Sequence, residues 1–116
     1  MKYNFNIDLT DIDGKVMEQP VYDDNGVPTK EKETLTVKKI VKGALLNLSE
    51  EENKLSGQKK FDRYDLASKI NKADSDVELS IDDVSLIKRV VGEKYTPTIV
   101  GQVWPLLEKV EVKDLN

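Results

Sequence analysis

The residues of this chain that could do chemistry are carboxylates, lysines, tyrosines and hydroxyls, because its 116 residues include no histidine and no cysteine. Without an imidazole there is no side chain whose ordinary pKa suits general-base work near neutral pH. Serine–histidine–aspartate and cysteine–histidine catalysis, and zinc sites built from Cys and His, are excluded within the chain. Lack of cysteine also excludes disulfides and agrees with a reducing compartment.

Carboxylates cluster in three places: Asp8, Asp11 and Asp13 in "NFNIDLTDIDGKV", Asp23 and Asp24 in "YDDNGVP", and Asp74, Asp76 and Glu78 in "DSDVE". An EF-hand loop needs oxygen ligands at positions 1, 3 and 5, glycine at 6 and glutamate at 12. With Gly14 at position 6, Asp11 and Asp13 fit positions 3 and 5, but Leu9 falls at 1 and Pro20 at 12. With Gly26 there, the ends become Val21 and Lys32, and the third cluster has no glycine. The expectation is therefore no metal and no cofactor. Short aspartates beside glycine are already explained by turns, whose backbone they hydrogen-bond. Pairs such as Asp82/Asp83 suit a helix start. Neither a GxGxxG nor a GxxxxGK[ST] phosphate loop occurs, and no catalytic residue is assigned.

Charge is unevenly spread. Residues 1–27 carry 2 basic and 6 acidic side chains, residues 28–73 carry 11 and 7, and residues 74–116 carry 5 and 9. An acidic whole with a mildly basic middle argues against a dedicated DNA-binding domain. Lys59, Lys60 and Arg63 beside Phe61 and Tyr64 are nevertheless the candidates for nucleic-acid contact, the rings stacking on bases. The competing expectation puts Phe61 and Tyr64 in the core. For a protein partner, the candidates are the acidic turn Asp23, Asp24 and Asn25, the open edge of an N-terminal hairpin, and Trp104 just before Pro105.

The elements that must position these residues follow from periodicity. Tyr3, Phe5, Ile7 and Leu9 alternate with polar residues, a half-buried strand. Asp13-Gly14 suits a type I′ turn, and a second strand over Val16–Tyr22 completes a hairpin whose Pro20 marks an edge. Residues 23–33 read as an exposed loop with a turn at Asn25-Gly26. Val37, Ile40, Val41, Ala44 and Leu45 form one helical stripe, with Thr34 or Thr36 as cap. Ser49 and Glu52 form a capping box. Ser56 precedes a helix with stripe Phe61, Tyr64, Ala67 and Ile70, flanked by Leu66. Ser80 with Asp83, and Leu79 against Val84, open a helix with stripe Ile81, Val84, Ile87, Val90 and Val91, closed by Gly92 at C′. Thr96 and Pro97 start the last helix, with Ile99, Val100, Val103, Trp104 and Leu107 inward and a kink or stop near Trp104 imposed by Pro105. Residues 109–116 are a tail, or a short strand through Val110 and Val112. The expectation is one α+β domain: a hairpin over 1–22, the loop, and three to four short helices over 34–108.

The segments "IDLTDIDGK", "LSGQKKFDRYDLASKI" and "VELSIDDVSLIKRVVGEKYTPTIVGQVWPLLE" resemble a set of small proteins encoded in tailed-phage and prophage genomes. The resemblance covers the hairpin and roughly the C-terminal 60 residues; the loop at 22–33 and Pro105 depart from it. It implies an accessory protein acting inside a bacterial cell. It supplies no site residues. The expected function is protein–protein binding without catalysis, to a host or phage protein or to a second copy through the hairpin edge. A nucleic-acid-associated factor is the alternative. The alternating start of the chain lacks a continuous apolar leader, and no apolar run reaches the roughly 20 residues of a bilayer span, so a cytoplasmic location and no membrane contact are expected.

Overall fold

The computed structural model describes residues 1–108, so the tail or strand expected over 109–116 lies outside the described residues. Among those described, four helices pack with two small antiparallel sheets, the α+β class expected. The chain runs β1 (Lys2–Asn4), β2 (Glu18–Tyr22), β3 (Pro28–Thr34), α1 (Val37–Leu46), α2 (Gly57–Lys72), β4 (Asp76–Glu78), α3 (Ile81–Lys94) and α4 (Pro97–Leu107).

Both N-terminal turns obey one rule. In "DIDGK" and "DDNGV" the first Asp carbonyl accepts from the glycine N–H (Gly14 to Asp11, 3.0 Å; Gly26 to Asp23, 2.9 Å). Its carboxylate accepts from two further amides: Asp13 and Lys15 for Asp11, Asn25 and Val27 for Asp23, all at 2.9 Å. Gly14 (φ +87°) and Gly26 (φ +78°) hold the left-handed residue, and no non-glycine residue has positive φ among those described. These are three-residue loops, a type I turn followed by a glycine bulge. The type I′ turn expected at Asp13-Gly14 is thus corrected, since Asp13 would need positive φ.

The hairpin at Gly14 is short, closed by a Thr10–Val16 bridge and by the Met17 amide donating to the Leu9 carbonyl (2.8 Å). The longer hairpin is β2–β3, paired Glu18 to Thr34 and Gln19 to Glu33. Residues 28–33, read from sequence as loop, are therefore strand, exposed as expected as far as Lys32. Charge made them look irregular, but Thr29 and Lys30–Glu33 have only to shield an edge, which a charged strand does well. β1 pairs instead with β4, Tyr3 opposite Val77. Tyr3, Phe5 and Leu9 are buried as the alternation requires, whereas Ile7 is 38% exposed.

The core forms where the helix stripes meet the buried strand residues. All five residues of the α1 stripe are buried, and Thr36 caps the helix by accepting from the Lys39 amide. Ser80 and Asp83 make the reciprocal capping box of α3. Three helix expectations need correction. Ile81 is 85% exposed, being the first helical residue, while Ile87, Val90 and Val91 are buried. Gly92 lies inside α3, which continues to Lys94. There a Cβ would sit 2.9 Å from Trp104 Cζ2, so its lack of side chain serves ring packing, not termination. α4 does not stop at Trp104. Pro105 falls in the last turn, where it leaves the Gly101 carbonyl without its i+4 donor, and the helix ends two residues later at Leu107.

Candidate functional site

Arg63, a candidate for nucleic-acid contact, is buried at 5% exposure and bound to Glu52. Glu52 closes the Ser49 capping box, accepting from the Ser49 amide at 3.0 Å while the Ser49 hydroxyl accepts from the Glu52 amide at 3.3 Å. It also receives Lys94 Nζ at 2.7 Å. Lys94 in turn donates to the carbonyls of Ala44 (2.6 Å) and Asn47 (2.8 Å) at the negative end of α1. Burial pushes the Glu52 carboxyl upward, but bonds from Lys94, Ser49 and Arg63 outweigh it and hold it down at about 2. One carboxylate thus ties α1, the 3-10 turn Glu52–Lys54, α2 and α3 together. Arg63 is removed from the nucleic-acid surface; Lys59 and Lys60 remain exposed.

Trp104 is half-buried, not a projecting anchor. Its Nε1 donates to the Lys88 carbonyl (3.1 Å), the Lys88 ammonium lies 4.9 Å from the ring centroid, and the ring packs on Gly92. All of these contacts are internal. Asp23, Asp24 and Asn25 are exposed at the tip of β2–β3, with the Asp23 carboxylate occupied by the turn. The structure does not bring the turn and Trp104 into a common site. Strand addition at the β2–β3 sheet meets Pro20 on one strand and Lys30, Glu31 and Lys32 on the other.

The correction with most consequence concerns α2. Its buried face is Arg63, Leu66, Ala67 and Ile70. The stripe expected through Phe61 and Tyr64 is displaced, because Arg63 occupies a core position by pairing with Glu52. Phe61 and Tyr64, expected in the core, are 62% and 64% exposed. Tyr64 stands over a groove of about 650 Å³ between α1, α2 and the β2–β3 sheet, with Leu46 (47% exposed) on the facing wall. Its polar lining is internally organised: Lys42 Nζ donates to Asn71 Oδ1 (2.7 Å), Gln19 to Glu33 (2.8 Å), and Lys39 to the Thr34 carbonyl (2.6 Å). The bond from Gln19 and the nearness of Lys39 lower the Glu33 pKa. Leu46 was missed from sequence. Its signal is the second leucine of "ALLNL", which falls off the α1 stripe.

A second concavity of about 590 Å³ lies at Met1, Tyr3, Leu79, Ile81 and Val84. Among the described residues no group of three or more Asp or Glu side chains is arranged to hold a metal ion. No described helix is long and apolar enough to cross a membrane. Comparison of the chain with protein-family models, with curated proteins and with solved structures finds no match in any of the three.

Proposed function

We propose that the chain is a phage-type accessory protein that acts in a bacterial cell by binding another protein, without catalysing a reaction, and that the contact surface is the α2 face at Phe61 and Tyr64. The observation that carries the contact surface is the exposure of both aromatic rings, one helical turn apart, with Tyr64 and exposed Leu46 lining a groove. Aromatic side chains are costly to leave in water and supply most of the energy at protein contacts. The resemblance of three segments to phage-encoded proteins supports the cellular setting.

A photo-crosslinking residue placed at 61 or 64 in bacterial cells tests this. The expected result is a discrete protein adduct at both positions and none at Asp82, on the exposed start of α3. Absence of any adduct above the Asp82 control overturns it.

The second reading, a nucleic-acid-associated factor, gains from the same exposure, since Lys60 is exposed one helical turn before Tyr64, although Lys59 lies on the other flank of α2. It loses Arg63 to the core, and Asp62 and Asp65 interrupt the basic face. Filter binding at low salt tests it, and nuclease-sensitive adducts at Tyr64 would favour it over a protein partner.

A further inference from the structure

We infer that a second binding site, for an oxyanion of the phosphate or carboxylate class, lies between the start of α2 and the middle of α3. It is a cavity of about 240 Å³ lined by Leu55, Lys59, Asp62, Arg63, Leu86 and Arg89. Lys59 and Arg63 are four residues apart on one helix face, and Arg89 comes from a different helix, so three cationic side chains converge on a space suited to a small head group.

The charges do not cancel internally. Glu52 is shared by Arg63 and Lys94, two cations on one carboxylate. Lys94 gains the α1 carbonyls as well, but these are dipoles and not a counter-charge. The carboxylate facing the cavity is Asp62, whose Oδ1 accepts from Gln58 at 2.9 Å. Against it stand Lys59 and Arg89, with Arg63 paired to Glu52, so the lining keeps a positive excess.

Its central group is also held in place. Glu52 engages Arg63 through Nη1, anchoring one end of the guanidinium before any ligand arrives. A guanidinium carries five N–H donors in a planar fork that matches carboxylate and phosphate oxygens. No buried side-chain nitrogen or oxygen among the described residues lacks a hydrogen-bond partner, so the donors that Glu52 does not take are either bonded or open to solvent. Arg63 lines this cavity while being 5% exposed overall. Lys59 and Arg89 are exposed and can close over the bound anion from either side. Leu55 and Leu86 make an apolar lip that strengthens charge-assisted bonds by excluding water. This site is independent of the aromatic groove, which lies on the other flank of α2.

The test is an amide NMR titration with inorganic phosphate, and separately with acetate, at ionic strength held constant with chloride. The expected result is saturable shifts at Lys59, Arg63 and Arg89 with at least one of the two anions. Arg89→Gln and Lys59→Gln, both at exposed positions, should each weaken binding by about tenfold, while Phe61→Ser leaves it unchanged. Saturation by phosphate alone assigns a phosphate-bearing ligand, and saturation by acetate alone assigns a carboxylate. Shifts that fail to saturate, that are as large at Lys39 and Lys42, or that survive Arg89→Gln overturn the site.

Discussion

Glu52 holds its carboxyl at about 2 in the folded chain, against an ordinary 4.5 that it regains on unfolding. The unfolded state therefore binds the proton more tightly, and stability rises with pH across that interval. The contribution is complete above about pH 5 and drains away as pH falls toward 2. Melting curves should show Tm declining over that range. Glu52→Gln keeps the shape but leaves buried Arg63 and partly buried Lys94 without a counter-charge, a loss of about 3–5 kcal/mol at neutral pH. The variant should melt lower at pH 7, and its Tm should fall less steeply between pH 5 and 2. A parallel decline in both proteins would show that other carboxylates govern acid unfolding. Two helical glycines pose a different question of the same scale. A Cβ at Gly92 would meet the Trp104 ring at 2.9 Å, and that ring is fixed by the Lys88 carbonyl below. A Cβ at Gly43 would meet the Tyr95 hydroxyl at the same distance, but this is the far end of a half-buried side chain at a helix terminus. Overpacking costs about 1–3 kcal/mol and the gain in helix propensity returns about 1. Urea denaturation should therefore find Gly92→Ala destabilised and Gly43→Ala close to wild type.

At the scale of elements, the two Asp-x-[Asp/Asn]-Gly-x turns make a matched pair. Gly14→Ala and Gly26→Ala each force a Cβ into the left-handed region, costing about 1–2 kcal/mol locally although no atom stands within 4 Å of either Cβ. Asp11→Ala and Asp23→Ala each remove two carboxylate bonds, and hydrogen exchange should quicken at Lys15 in one and Val27 in the other. Protection unchanged at those amides would mean the backbone bonds alone hold the turns. The positions of these turns, the Thr36, Ser56 and Ser80 caps, and the α1 stripe were legible because each depends on residues close in the chain. Strand partners were not. β1 meets β4 across more than seventy residues, and a three-residue strand carries too little pattern to announce its mate. The α2 face was misread for a related reason. Arg63 counts as polar in any periodicity, yet it occupies a core position because Glu52, eleven residues earlier, neutralises it there. Once Arg63 is placed inward, Phe61 and Tyr64 rotate outward, and the candidate site appears where the sequence suggested core.

For the molecule as a whole, that rotation separates what holds the fold from what the fold presents. The buried cluster runs from Tyr3 and Phe5 through the α1 and α3 stripes to Val103 and Leu107, and it includes Leu66, Ala67 and Ile70 of α2. Phe61, Tyr64 and Leu46 lie outside it. Exposed side chains away from caps, cores and ion pairs change stability by less than about 0.5 kcal/mol when replaced, whereas truncating a buried leucine costs about 2–5. Phe61→Ser with Tyr64→Ser should therefore leave the urea midpoint nearly unmoved, and Leu66→Ala should shift it strongly. If the aromatic face is the contact surface, the double variant should also lose the adduct formed by a crosslinker at residue 46 on the facing wall of the groove, and Leu66→Ala, where still folded, should keep it. A double variant that unfolds early would place the two rings in the core after all. One that folds normally and still yields the adduct would move the contact to another face of the molecule.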